Sequence, residues 1–197
     1  MPKLEKEQFD DLISRVRAGD QSAAAELVKT YEPEIRRDVR LRLANSQLRR
    51  TLDSTDICQS IFGNFFVRAA LGQYDFERPE ALLGLLAQMA RNKLVDRHRR
   101  ETARQPNGHA KLIYGEEGAD LPPAKVNSTP SAEIAAKDLQ VLIEQSLSEQ
   151  ELAIAQMRRD GIAWSEIANE LGEAPDTLRK RLARAGDRIV KELDLND

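Results

Sequence analysis

Residues 164–193, WSEIANELGEAPDTLRKRLARAGDRIVKEL, read as two helices joined by a tight turn. Ser165 can cap the first helix by offering its hydroxyl to free backbone N–H groups. Ile167, Ala168 and Leu171 follow at helical spacing and form an apolar face. Gly172 suits a left-handed turn position that stops this helix, and Pro175 blocks direct continuation. Asp176 and Thr177 can cap the second helix, whose buried stripe is Leu178, Leu182, Ala185 and Ile189. Its other face carries Arg179, Lys180, Arg181, Arg184, Arg188 and Lys191. Ala168 is small where the helices must cross closely. The pattern is that of a helix-turn-helix whose second helix fits the DNA major groove, where Arg and Lys read guanine edges or hold phosphates.

The rest of the chain is compatible with an all-helical protein, since alternating strand-like runs are missing. Phe9, Leu12, Ile13 and Val16 make one amphipathic helix, and Gly19-Asp20 breaks it, with Asp20 as the next cap. Ala24, Leu27, Val28 and Tyr31 form a second inner face. Pro33 suits a helix start, and a third helix is expected to carry Ile35, Val39 and Leu43, with a loop over residues 45–52. Ser54 or Thr55 can cap the next helix, with Asp56 favourable in its first turn. Ile57, Ile61 and Phe65 make one stripe there, and Cys58, Phe62 and Phe66 a second. Asp56, Gln59 and Ser60 form its polar edge. A loop with Tyr74 and Phe76 precedes Pro79, which opens a long helix, apolar first and basic later. Residues 105–130, rich in Pro and Gly, read as a flexible linker. Ser131 begins a further helix with Ala135, Leu139, Leu142 and Ile143 inside, and Ser148 with Glu151 matches a capping box. The expected architecture is therefore all-α: a helical domain over residues 1–104, the linker over 105–130, and a helix-turn-helix domain over 131–197.

The net charge of −3 hides an uneven distribution. Residues 91–104 hold six Arg or Lys against two acids, and residues 176–192 hold six against three. Residues 105–151 hold three against eight. Two basic helices thus flank an acidic middle, which with the acidic N-terminus would shield them in the free chain. The charged start carries no secretory signal, and the longest apolar stretch is too short for a membrane, so no membrane insertion is expected. One cysteine excludes an internal disulfide and fits a reducing cytoplasm.

Three stretches together resemble a bacterial RNA polymerase sigma factor of the extracytoplasmic-function (ECF) type. DSTDICQSIFGNFF, residues 53–66, resembles the polymerase-binding helix of that family. LLGLLAQMARNKLVDRHRRE, residues 82–101, resembles the promoter-melting helix, and residues 147–185 resemble the minus-thirty-five domain. The resemblance implies core RNA polymerase and promoter DNA as partners, admits an anti-sigma factor, and implies no cofactor. It implies that Asp56 and Gln59 face polymerase. It implies minus-ten contacts by Arg91, Asn92, Lys93, Asp96, Arg97, Arg99 and Arg100. The loop with Gln73, Tyr74, Asp75 and Phe76 would capture a flipped base, the two rings by stacking. Thr177, Arg179, Lys180, Arg181 and Arg184 would read the minus-thirty-five element, and the linker acids Glu116, Glu117 and Asp120 would approach the RNA exit channel. Leu85 and Ala87 stand where many members carry aromatic residues. Melting would therefore rest on base capture and on contacts by the basic helix.

Two rivals remain at this stage. A stand-alone helix-turn-helix regulator, binding operator DNA as a dimer, explains residues 164–193 but leaves the basic run at 91–104 without a role. An enzyme finds little support. His98 and His109 have no Cys, Asp or Glu at metal-ligand spacing, Cys58 lies on an apolar stripe, and no phosphate-binding glycine loop occurs.

Overall fold

The computed structural model describes residues 5–44, 53–104, 139–193 and 195. Every regular element among them is a helix: α1 (Lys6–Arg17), α2 (Gln21–Ala44), α3 (Ser54–Ala70), α4 (Pro79–Arg104), α5 (helical residues 139–145), α6 (Glu149–Arg159), α7 (Trp164–Leu171) and α8 (Pro175–Glu192). The expected loop at 45–52, the linker at 105–130, and Ser131 and Ala135 lie outside the described residues.

Helices α1 to α4 enclose one apolar core. Phe9, Leu12, Ile13 and Val16 of α1 are all buried in it, as their spacing requires. Ala90, Leu86 and Leu82 carry the core along α4 at intervals of four, ending at Leu94. A second core joins α5 to α8, and it also takes Val67 and Leu71 from the end of α3, both fully buried. The C-terminal helices therefore sit against the N-terminal bundle.

Pro33 does not open a helix. It lies inside α2, which runs unbroken for 24 residues. Tyr31, Ile35, Val39 and Leu43 share one buried face across it. Burial along that stripe outweighs the one backbone bond that proline cannot donate.

Several caps also differ by a residue or two. Asp53, not Ser54 or Thr55, caps α3, its carboxylate accepting from the Thr55 N–H at 2.9 Å. Ala163 occupies the cap position of α7, and Ser165 falls in the first turn. There Glu166 reaches back to the Ala163 N–H at 3.2 Å. Pro175 takes the first turn of α8, so Asp176 and Thr177 lie inside the helix rather than before it. Leu142 and Leu171, expected inside, are exposed, while Ile143 beside Leu142 is buried. The Ser148–Glu151 capping box forms as expected, with bonds of 3.3 and 2.9 Å.

Asp20 caps α2. Its Oδ1 accepts from the N–H groups of Ser22 and Ala23, at 2.8 and 3.1 Å, and Arg15 donates to Oδ2 at 2.8 Å. The Ser22 hydroxyl, the Ala23 N–H and Arg15 hold its carboxyl well below the ordinary 3.8. A depressed folded value means this contribution is complete above the ordinary value and is lost as pH falls below it. Asp20→Asn keeps an accepting oxygen and cannot ionise. Thermal melts of that variant should lose less stability than wild type between about pH 4 and pH 2.

Candidate nucleic-acid interface

The turn between α7 and α8 is built as its residues require. Gly172 adopts φ 67° and ψ 25°, the left-handed region where a side chain would be strained, and its N–H returns to the Ala168 carbonyl. Ile167, Leu178 and Leu182 are fully buried between the helices. On the outer side of α8, Thr177, Lys180, Arg181 and Arg184 stand at i, i+3, i+4 and i+7 and so share a face. Thr177, Lys180 and Arg184 are exposed, and Arg179 is exposed beside them. Arg181 is half-buried because both its terminal nitrogens donate to Glu173, at 2.8 and 2.7 Å. Arg179 pairs with Asp176 at 2.9 Å and lies over the Trp164 ring. Arg188, on the basic face by spacing, is exposed but engaged by other residues. It donates to Glu151 at 2.8 Å and to the Ser146 carbonyl at 3.0 Å, tying α8 to the start of α6.

A second basic surface lies between α3 and α4. A cleft of about 440 Å³ there is lined by Asn64, Arg68, Tyr74, Lys93, Arg97 and Arg100 among others. Asn92 and Asp96 also border it. Arg91 and Arg99 are exposed on the same stretch of α4. Of the residues expected along this stretch, the structure thus brings Asn92, Lys93, Asp96, Arg97 and Arg100 around one cavity. The opposite wall was missed in the sequence. Ser60, Asn64 and Arg68 line it from α3, and their spacing of four through an otherwise apolar helix is the signal that could have found them. Ser60, read as part of the polar edge with Asp56 and Gln59, is buried.

The loop after α3 forms the end of the cleft. Tyr74 stacks on Phe65, with centroids 5.8 Å apart and planes 5° from parallel. Phe76 packs against Tyr74 at 5.6 Å, against Phe65 at 6.2 Å and against Phe9 at 6.5 Å. Both rings therefore cover the first core, and Tyr74 also borders the cleft. Burial pushes the Tyr74 hydroxyl up from its ordinary value, so it remains a neutral donor. Gln73 donates to the Leu182 carbonyl of α8 at 2.7 Å. Asp75 accepts two bonds from Arg158 of α6, at 2.7 and 2.6 Å, and lies 3.4 Å from Arg17. Leu85 and Ala87 are partly buried against the first core.

Asp56 and Gln59 form a third place of interest. Both are exposed in the first turns of α3, three residues apart and therefore on one side of the helix. Asp56 also complements the positive end of the helix. Cys58 between them faces the core, where burial pushes its thiol up to about 11. It is a packing residue. Among the described residues no His, Cys, Asp or Glu group could hold a metal ion, and no helix is long and apolar enough to cross a membrane.

A helix-turn-helix with an exposed basic helix, joined to a helical bundle with a basic cleft, defines a DNA-binding transcription protein. The family model for ECF sigma factors matches residues 6–195, and the chain belongs to that family. Its role is that of a sigma factor in transcription initiation. No curated protein and no solved structure matches the chain significantly.

Proposed function

We propose that this chain is the promoter-specificity subunit of a bacterial RNA polymerase. It directs the core enzyme to a two-part promoter and assists melting of the downstream part. The observation that carries this reading is the α3–α4 cleft, whose basic side chains and Tyr74 ring surround a volume of about 440 Å³. An aromatic wall with cations around it suits a base taken out of the stack, with its phosphates held beside it. The division of labour is a domain over residues 1–104 for polymerase binding and melting, a connecting segment over 105–130, and a domain over 131–197 for upstream recognition. Asp56 and Gln59 contact polymerase. Thr177, Arg179, Lys180, Arg181 and Arg184 read the minus-thirty-five element. Gln73, Tyr74, Asp75 and Phe76, with Arg91, Asn92, Lys93, Asp96, Arg97, Arg99 and Arg100, engage the minus-ten strand. An anti-sigma factor would silence the chain by covering the Asp56–Gln59 side or the outer face of α8.

Melting is then a capture reaction. Duplex opening becomes favourable when an extruded base and its flanking phosphates gain contacts that the paired strand cannot make. Leu85 and Ala87 supply no ring to wedge between bases, so the cleft takes that load.

The test uses the chain with core polymerase on a promoter recovered by selection from random DNA. Lys180→Ala and Arg184→Ala should each weaken capture by roughly 1–3 kcal/mol and relax selectivity at the upstream element alone. Arg97→Ala should slow opening, read by permanganate reactivity of thymines, and a template with a pre-opened downstream bubble should restore transcription. Failure of the bubble to rescue Arg97→Ala removes the cleft from the mechanism.

A further inference from the structure

We infer that Trp164 is a positioning residue for upstream recognition, its ring holding the Arg179 guanidinium on the surface of α8 with one side of its donor fork left open for a base pair. The inference rests on the proposed reading of the minus-thirty-five element by Arg179. Trp164, the chain's one tryptophan, opens α7 and is half-buried against the second core. The guanidinium carbon of Arg179 lies over its ring, 5.6 Å from the centre, and that of Arg158 lies 4.8 Å from it. Both distances are within the range at which the negative face of an indole attracts a cation.

The ring and the arginine are each held in place. Arg158 is 4% exposed and donates to the Gly72 and Ile162 carbonyls and to both oxygens of Asp75, so the indole has a fixed neighbour. Two cations can share one ring because each has its own carboxylate, Asp75 for Arg158 and Asp176 for Arg179. Leu178, next to Arg179, is fully buried, as is Leu182 one turn on, and both share the second core with Ile167 of α7. The turn at Gly172 thus brings the start of α7 and the first turns of α8 together, and the side chain of Arg179 reaches back to the ring.

A guanidinium held by its face keeps its edge. Its five N–H groups lie in its own plane, and contact with an aromatic ring leaves them available. Among the described residues Asp176 takes the Nη1 side, at 2.9 Å, which leaves Nε and Nη2 as a parallel pair. Such a pair matches O6 and N7 of a guanine in the major groove. A loose arginine gives up rotamer freedom when it binds, and one already held gives up less. Lys180 and Arg184 are exposed on the outer side of α8, and among the described residues no ring lies under either. Trp164 therefore acts on the base pair that Arg179 reads and on no other.

The test measures capture of promoter DNA by core polymerase with the full chain. The DNA is a promoter recovered by selection, together with every single base-pair change in its upstream element. Because Trp164→Ala would leave a cavity beside the second core, two milder variants are compared at a temperature where thermal melts show both folded. Trp164→Leu keeps apolar volume without a ring, and Trp164→Phe keeps a ring. Arg179→Ala should lose about tenfold in discrimination at one base pair. Trp164→Leu should lose about threefold at that pair alone, and Trp164→Phe should keep most of it. Trp164→Leu combined with Arg179→Ala should lose no more there than Arg179→Ala does. Equal profiles for the leucine and phenylalanine variants, a loss spread evenly over the element, or additive losses in the combined variant overturn the positioning role and leave Arg179 as a reader. A wild-type profile in Arg179→Ala removes Arg179 from the upstream reading, and the positioning role with it.

Discussion

Arg158→Ala should lower the unfolding free energy by about 3 kcal/mol and the melting temperature by roughly 6–12 °C. The side chain is 4% exposed and answers several acceptors at once. It donates to the Ile162 carbonyl at 2.7 Å, to the Gly72 carbonyl at 3.2 Å and to both Asp75 oxygens, and its guanidinium lies 4.8 Å from the Trp164 ring centre. Alanine leaves two carbonyls without this donor, buried Gly72 and half-buried Ile162, and an unmet buried acceptor costs more than the bond itself contributes. The pairing with Asp75 weighs less, because that carboxylate is 63% exposed and screened by water. Arg158→Lys should recover less than half of the loss, since an ammonium cannot reach three directions in one plane. Thermal melts followed by far-UV circular dichroism measure both. A loss under about 1 kcal/mol for alanine would mean that this network is not formed in solution.

Phe65→Ala should cost about 3–5 kcal/mol, the range for removing a fully buried ring from a core. Phe65 is the platform on which Tyr74 lies flat, and it also touches Phe66 and Phe76. Its removal leaves a cavity directly beneath the loop. The stability loss should therefore come with a loss of promoter opening at temperatures where the bundle is still folded. Phe65→Leu fills most of the space and should cost about half as much, while still removing the flat surface. Urea unfolding gives the energies. Permanganate reactivity with core polymerase gives the opening. Normal opening in Phe65→Leu would show that the stacked arrangement of Tyr74 is irrelevant to the strand.

The helices were legible where burial follows spacing. The α1 face and the α7–turn–α8 pattern each repeat apolar residues at helical intervals, and the structure buries all of them but Leu171, whereas α4 was legible only as a helix apolar first and basic later. Pro33 misled because a local rule about proline gave way to a buried stripe extending on both sides of it. The α3 cap shifted because Asp53, Ser54 and Thr55 stand together and compete for the same N–H groups, whereas α7 and α8 start at Ala163 and Ala174, with Pro175 setting the first turn of α8. The basic wall of the cleft on α4 was legible as a charge run. The facing wall was not, because Ser60, Asn64 and Arg68 are dispersed among phenylalanines and isoleucines. Arg158 was the least legible of all. Nothing within α6 distinguishes it from a solvated arginine, and its partners at Gly72 and Asp75 lie more than eighty residues earlier.

The measurement closest to the central claim is capture of the full chain by bacterial core RNA polymerase, alongside Asp56→Ala combined with Gln59→Ala. Both residues are exposed and neither supports the core, so the double variant should fold as wild type does. A sigma factor working through this side of α3 predicts stable binding by wild type and at least tenfold weaker binding by the double variant. A wild-type chain that ignores core polymerase yet binds duplex DNA tightly on its own would contradict the account and favour an operator-binding regulator.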